Sequence, residues 1–556
     1  MAVDCIRPRF VPIRADTLHR MTTEERATTG CPLCGAPTDR QVLEAARWLA
    51  PELLTRLARR RPGWRSEDGA CPSCVQQATL FNLLELGEAA LRTGVQGTWL
   101  RDANTAFAAL PTPLRLRADP RYTGWGITIA LIDSGFYPHP DLTQPHNRIR
   151  AWVDAAAEPV RAIKYDHDEY PRWPGWDRRL PEQWHGLMTS SVAAGNGWLS
   201  HGLYRGMASE ADLVLIQARD EHGHISNASI VRALRWLEHE GAGLGVRVVN
   251  LSVAGDPTRK LQGNPVDAAV EALTRQGITV VAAAGNDGER RLVPPATAPT
   301  ALTIGGLDDR NTFDHDQVEL WHSNYGETVH GMLKPELVAP SIWLAAPLLP
   351  GTSQAREAAA LFARRSEGDP EVEESINEAK LVTPHYQHVD GTSFAAPLVA
   401  ATVACMLQAN SGLTPSLVRQ ILIATARRIP SASEERQGAG ALDPSAAVKL
   451  ARLERHGGLA QIPVTPKVAR GEVIFILHEH DVQQVELFGS WNGWKAPGTL
   501  AKQVEPGLWR VAMRDLARGH YQYKFLIDGA RWHDDPANPR KARDHHGGLN
   551  SLVIVP

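Results

Sequence analysis

Between residues 127 and 285 the chain alternates short, continuous apolar runs with longer stretches of mixed polarity. ITIALID (127–133), DLVLIQA (212–218), VRVVNLSV (246–253) and ITVVAAAG (278–285) are apolar along most of their length. That pattern predicts strands covered on both faces rather than wetted on one. NASIVRALRWLEHE and VDAAVEALTRQ, between the runs, space their apolar residues as helices do. Strand and helix in alternation predict an α/β domain with a mainly parallel sheet flanked by helices. Such sheets place their chemistry outside the carboxyl ends of the strands, and Asp133, Asn250 and Asn286 fall there.

The pattern differs on either side. Residues 1–118 hold helical stretches, one of them basic (EAARWLAPELLTRLARRR) and one apolar (ATLFNLLELGEAALR), and end in LPTPLRLRADP, which reads as a linker. From Pro466 onward, VIFILHE, QVELFG, GLWRVAM, YQYKFLID and LVIV are separated by Gly, Pro and Asn, the signature of an all-β sandwich. Three parts result: 1–118, 119–455 and 466–556. Residues 351–380 interrupt the middle part with a polar, charged, helix-prone stretch, expected as a surface insertion. It is either a lid near the site or a solvated excursion with no role.

In VDGTSFAAPLVAATVACMLQ (389–408), apolar residues from Phe394 to Leu407 cover every face of a helix, so the helix is surrounded by protein. Ser393 puts a hydroxyl at its entry. An N-cap is the plain explanation; a nucleophile is the other. Acyl transfer by serine needs a base, a carboxylate to orient the base, and oxyanion donors. Asp133 ends a strand, His185 opens the small-residue helix WHGLMTSSVAAGNG, and Asn286 follows a strand in AAAGNDG. Asp133 and Asn286 are each explained singly by a turn, and His185 is one of 21 histidines. The ordered set Asp133, His185, Asn286, Ser393 is not so easily dismissed.

These motifs resemble those of subtilisin-like serine peptidases, the subtilases. ALIDSGFYPHPDL is similar to the aspartate motif, WHGLMTSSVAAG to the histidine motif, VVNLSVAG to the substrate-binding strand, AAAGNDG to the oxyanion motif and DGTSFAAPLVA to the serine motif. The resemblance implies Ser393 as nucleophile, His185 as base, Asp133 as its orienting carboxylate and Asn286 as oxyanion donor. It also implies that Asn250, Leu251, Ser252, Val253, Ala254 and Gly255 pair with an extended polypeptide substrate, with Ala284 and Gly285 walling the pocket beside them. Two departures stand out. Where the family commonly reads His-Gly-Thr-His, this chain has His185-Gly186-Leu187-Met188, and the N-terminal region does not resemble the family's inhibitory propeptide. Relatives often bind calcium near the positions of Asp141 and Asn196; an altered loop makes a simple turn the alternative.

Charge is balanced, 59 basic against 62 acidic residues, so no global field points to nucleic acid or a membrane surface. No uninterrupted apolar run reaches the roughly 18 residues of a spanning helix, and MAVDCIRPRF carries no export-type apolar stretch, so a cytoplasmic location is expected. Four of six cysteines form two C-x2-C pairs, Cys31/Cys34 and Cys71/Cys74, resembling two zinc knuckles. Four thiolates from two tight turns suit a closed, structural tetrahedral zinc site. Disulfides and a redox switch are the alternatives.

In the sandwich, FGSWNGWKAPGTL, GHYQYKFLIDGARWHDDPANP and GGLNSLVIV resemble the glycogen-binding module of AMP-activated protein kinase β subunits. The match implies Trp494, Lys524, Trp532 and Asn550 as α-glucan contacts; Trp491 and Trp509 are read instead as core residues. A protein-docking sandwich is the alternative. The whole chain is therefore expected to be a serine endopeptidase with a glucan-targeting module; a restrained peptidase-fold scaffold is the competing reading.

Overall fold

The computed structural model describes residues 28–35, 37–39, 43, 51–71, 74, 109–172, 183–200, 202–257, 264–311, 318–329, 331–366, 369, 371–454, 465–469, 472–480, 482–505, 507–535, 538, 540–544, 546 and 548–555. The chain divides into two compact units, Met1–Val75 and Gln76–Pro556. The first holds a hairpin of Thr28–Gly30 with Pro37–Asp39, and the helix Pro51–Arg60, the carboxyl half of the basic stretch. Its helical character is thus shared with a small β-hairpin. Leu57 and Trp64 are buried, and Trp64 Nε1 donates to the Gly69 carbonyl at 2.8 Å. The second expected helix, 78–92, lies outside the described residues.

The large unit is built on a sheet whose middle strands are all parallel. In spatial order they are Leu302–Asp308, Thr279–Ala283, Val246–Leu251, Thr128–Asp133, Asp212–Gln217 and Ile149–Asp154. Leu337–Pro340 also pairs in parallel with Leu302–Asp308, and antiparallel strands Glu319–Leu320 and Arg161–Lys164 close the edges. Every side chain of Thr128–Asp133 is buried, and its residues alternate between two cores. Ile129 and Leu131 face one core with the helices Gln183–Ala194, Thr392–Ala409 and Pro444–Glu454. Ala130 and Ile132 face the other, with Asn227–Glu240 and Pro265–Arg275. On Pro265–Arg275, Val266, Ala269, Val270 and Leu273 supply the apolar stripe, and Asn264 caps it by accepting the Val266 N–H at 2.9 Å.

Thr392–Ala409 is long and apolar enough to cross a membrane by length and composition, with a mean hydropathy of 1.5, but 89% of it is buried within the protein. Cys405 is one of its core residues. The expected linker does not behave as one. Leu110, Leu114 and Leu116 are buried, and fully buried Arg115 pairs with Asp309 at 2.6 Å. Apolar residues every few positions carry this segment into the domain, so its packed part begins by Ala109 rather than at 119.

The 351–380 stretch folds as two helices, Ser353–Ser366 and Val372–Glu378, around a small core of Leu348, Ala358, Leu361, Phe362, Val372, Ile376 and Leu381. A three-stranded sheet of Leu344–Pro347, Tyr386–Val389 and Leu381–Thr383 supports it and runs on to Ser393. The carboxyl-terminal sandwich stacks two antiparallel sheets. One is ordered Lys467–Ala469, Glu472–His478, Leu508–Arg514, Lys502–Glu505. The other runs Thr499–Leu500, Val485–Gly489, Gly519–Ile527, Leu549–Val555, Lys541–Arg543, with Arg531–His533 added on Gly519–Ile527. Phe475, Leu487, Trp509, Tyr523 and Phe525 fill the space between them.

Candidate active site

Asp133, at the carboxyl end of its strand, is fully buried. Its Oδ1 accepts the Ser134 backbone N–H at 2.6 Å and lies 2.6 Å from His185 Nδ1. Its Oδ2 accepts the Thr189 hydroxyl at 2.8 Å. His185 and Thr189 are one helical turn apart on Gln183–Ala194, so one face of that helix engages both carboxylate oxygens. Gly186 permits the approach, because a Cβ there would sit 2.0 Å from the Gly135 carbonyl oxygen. A carboxylate only accepts, so Nδ1 carries the hydrogen and Nε2 is left as the basic nitrogen. Burial alone disfavours the imidazolium; the Asp133 charge and hydrogen bond outweigh it and hold the His185 pKa above its ordinary value. Met188, where the family commonly has a second histidine, is buried in the core and receives Gln387 Nε2 at 3.7 Å.

Ser393 enters its helix behind Gly391, whose φ of 127° suits glycine. The next ring, Phe394, has its centroid 5.8 Å from that of His185, so the first turn of the serine helix lies against the histidine. Asn286 Oδ1 accepts both the backbone N–H (2.9 Å) and the hydroxyl (2.7 Å) of Thr392. That fixes the amide orientation and leaves Nδ2, which faces Gly391, as the donor. The Thr392 hydroxyl also accepts the Gly285 N–H at 3.1 Å. Asn324 Oδ1 holds the rest of the turn by accepting the N–H groups of Asp287 (2.9 Å) and Glu289 (3.1 Å).

Asn250 and Leu251, expected to face substrate, lie inside the sheet, paired with Leu131 and Ile132 on one side and Val281 and Ala282 on the other. A parallel strand between two neighbours has no ladder position to offer a peptide. Asn250 instead donates to the Ser252 hydroxyl at 2.9 Å, and that hydroxyl donates to the Ser393 carbonyl at 2.8 Å. Beyond the sheet, Ser252 and Val253 have buried side chains and Ala254 is exposed. The Gly255 N–H is taken by the Pro294 carbonyl at 2.8 Å. Ala284 is buried and donates its N–H to Ile304 at 3.0 Å. Thr189, Ser252, Thr392 and Asn324 were not anticipated as supports. The spacing of Thr189 from His185 was a usable signal; nothing in the sequence ties Asn324 to residues 287 and 289.

On the sandwich, Trp532 is 50% exposed and Trp494 half-buried, their ring centroids 6.4 Å apart at 68°. Trp494 adopts φ 62°, a conformation unusual for a bulky residue, held by its N–H donating to Asn492 Oδ1 and the Gly489 carbonyl, both at 3.1 Å. Lys524 Nζ pairs with Asp544 at 2.6 Å, and that hydrogen bond first of all holds the Asp544 pKa down at about 2. Asn550 Nδ2 donates to Gln522 Oε1 at 2.6 Å. Trp509 is buried and Trp491 packs partly buried against the core.

Residues 124–440 match the Subtilase family of peptidases. The chain belongs to the subtilase family. Residues 473–556 of this subtilase match the glycogen recognition site of AMP-activated protein kinase. Among its relatives is the serine protease AprX of Bacillus subtilis, 29% identical over 328 residues, covering 57% of this chain and 65% of AprX. Halolysin of Haloferax mediterranei is 29% identical over 325 residues, covering 58% of this chain and 49% of halolysin. Subtilisin Savinase of Lederbergia lenta is 25% identical over 328 residues, covering 59% of this chain and 92% of Savinase. The match thus spans less than two thirds of AprX and about half of halolysin.

Two further corners of this subtilase bear on metals. Asp141 does not fit a calcium ion: its oxygens accept the Tyr386 hydroxyl at 2.9 and 2.8 Å in a fully enclosed setting. The Asn196 side chain is spent on the Gln144 carbonyl and the Trp198 N–H. A hard cation needs six or more oxygens, and here a tyrosine hydroxyl stands in its way. The four cysteines do fit a metal. Their sulfurs lie within 4.8 Å of one another, with Cys31–Cys74 at 4.0 Å and Cys34–Cys71 at 3.6 Å. A disulfide needs about 2.05 Å, whereas tetrahedral zinc at ~2.3 Å from each sulfur sets them about 3.8 Å apart. The Cys71 N–H donates to Cys31 Sγ at 3.3 Å, a contact that stabilises negative charge on that sulfur. The hydrogen bond with Cys74 pulls the Cys71 pKa down to about 5, and the same hydrogen bond, followed by burial, pushes that of Cys74 up.

Proposed function

We propose that this subtilase is a serine endopeptidase that works through an acyl-enzyme on Ser393 and is carried to α-glucan by its sandwich. The reading rests first on the 2.6 Å contact of His185 Nδ1 with buried Asp133, set beside the serine helix. In this mechanism Ser393 Oγ bonds to the peptide carbonyl carbon and its proton passes to His185 Nε2. The C–N bond then breaks as His185 returns that proton to the leaving amine. Water repeats the sequence, with Ser393 as leaving group. Asn286 Nδ2 and the Ser393 N–H receive the oxyanion. Losing one such donor lowers kcat by about 10²–10³. Substrate lies along Ser252–Ala254, the continuation of the strand beyond its paired positions.

Fluorophosphonate labelling of the full chain tests this. Labelling of wild type that is absent from Ser393→Ala supports the peptidase. A folded wild type that stays unlabelled transfers the case to the restrained scaffold.

For the sandwich, the exposed Trp494/Trp532 pair supports glucan over protein docking, since sugar faces stack on such rings. Either ring changed to alanine is expected to weaken retention on immobilised glycogen about two- to tenfold. Unchanged retention would move the sandwich to protein docking.

Cys31, Cys34, Cys71 and Cys74 would hold zinc as a closed structural site, in keeping with a reducing, cytoplasmic setting. A metal-binding dye is expected to report about one zinc per chain. Its removal should expose Met1–Val75 to protease while fluorophosphonate labelling persists. Intact resistance after complete zinc removal would refute a structural role.

A further inference from the structure

The turn that carries Asn286 is held from several sides. The Gly285 carbonyl accepts the Asn324 N–H at 3.0 Å, and the Glu289 carbonyl accepts the Tyr325 N–H at 3.1 Å. The Thr392 hydroxyl and Asn324 Oδ1 take N–H groups of the same turn. The Asn286 carbonyl itself is met by a further side chain, His322, whose Nδ1 lies 2.9 Å from it. A carbonyl oxygen only accepts, so Nδ1 carries the hydrogen and donates it. Nδ1 keeps that hydrogen in the imidazolium, so the bond persists in either charge state.

His322 is exposed, and an exposed side chain is ordinarily free to exchange such a partner for water. Here the ring is held in place. It stacks on Trp321, with centroids 3.8 Å apart and planes inclined by 28°. Trp321 is seated in turn on the strand Leu302–Asp308. Its N–H donates to the Gly306 carbonyl at 3.1 Å, and a Cβ on Gly306 would sit 2.8 Å from its Cε3. The Ser323 hydroxyl accepts the Gly306 N–H at 2.8 Å. The sheet thus supports two stacked rings, and the outer one ends on the Asn286 carbonyl.

Asn286 is therefore pinned at two points by different residues. Thr392 holds its side-chain Oδ1, and His322 holds its main-chain oxygen. An oxyanion donor is effective because it is already in position when charge develops. We propose that His322 is a positioning residue for the oxyanion donor, acting through the Asn286 carbonyl and not on substrate. The inference rests on the peptidase reading above. The alternative is a surface contact that adds stability alone.

Two variants separate the ring from the donor. His322→Phe keeps a ring to stack on Trp321 and loses the hydrogen bond. His322→Asn loses the ring and keeps an amide donor. Losing a whole oxyanion donor costs about 10²–10³ in kcat, so a misplaced one in His322→Phe is expected to cost about tenfold. KM for the same peptide should change less than about twofold. The rate of fluorophosphonate labelling should fall with kcat, because the phosphonyl oxygen uses the same donors. His322→Asn should recover most of the loss. In an Asn286→Ala background, His322→Phe should cost less than about twofold more, since the donor it positions is gone. Should Asn286→Ala fail to fold, Asn286→Asp takes its place: the carboxylate still accepts from Thr392 and cannot donate. Unchanged kcat and labelling rate in His322→Phe would overturn the proposal. An equal loss in His322→Asn would assign the effect to the stack, and an undiminished loss without Asn286 would assign it to stability; either also overturns it. Wild type that is never labelled is a separate failure, which removes the peptidase reading and this inference with it.

Discussion

Ser393→Ala is expected to lower kcat on a peptide substrate by about 10⁶-fold. On the proposed mechanism the loss is that large because nucleophile and base act as one unit, so removing either forfeits nearly the whole covalent route. What remains, an enhancement of about 10³–10⁴ over water, comes from the oxyanion donors and substrate binding. The fold should not notice the change. The Ser393 carbonyl still accepts from Ser252, and Thr392 and Phe394 still anchor the first helical turn. Thermal unfolding of the variant should therefore track wild type, separating chemistry from stability. A variant that keeps more than a few per cent of activity would place the nucleophile elsewhere.

Asp133→Asn should lower kcat by about 10⁴ at neutral pH. The amide can donate to His185, which stabilises the wrong tautomer and withdraws Nε2 as a base. The substitution also disturbs a crowded corner, because Oδ2 accepts from Thr189 as well. pH gives the sharper readout. In wild type the His185 pKa is raised, so the neutral base is lost as pH falls through a value above the ordinary 6.5. The acid limb of kcat/KM should accordingly lie above 6.5. In Asp133→Asn that limb should move to lower pH, since burial now acts on His185 without the opposing charge. Stability has the opposite sign to activity here. The Asp133–His185⁺ attraction stabilises the fold at low pH and fades as pH rises through the raised pKa. An unmoved acid limb would detach Asp133 from His185.

Much of this was legible because buried parallel strands are chemically monotonous. ITIALID and its fellows admit few alternatives, and the four residues in question sit at the ends of elements where a polar group stands out. Support residues were harder. Thr392 and Ser252 act through hydroxyls that look like ordinary caps, and Asn324 reaches the Asn286 turn from 37 residues away. Asn250 misled for the opposite reason. Polar residues near strand ends invite a functional reading, yet its position in the ladder makes it a brace for Ser252. The linker reading failed because proline and arginine mask the leucines that pack LPTPLRLRADP into the domain.

The excursion before Ser393 leaves and returns at one place. Pro347 and Tyr386 face each other across an antiparallel pair, so the ends of residues 348–385 are held side by side. Whatever lies between them can lengthen, shrink or be exchanged without changing the distance between its endpoints. Tyr386 remains moored to Asp141 and the serine helix keeps its starting point. The molecule thus has a socket close to its reactive centre, where new recognition elements can be grafted while the chemistry stays put.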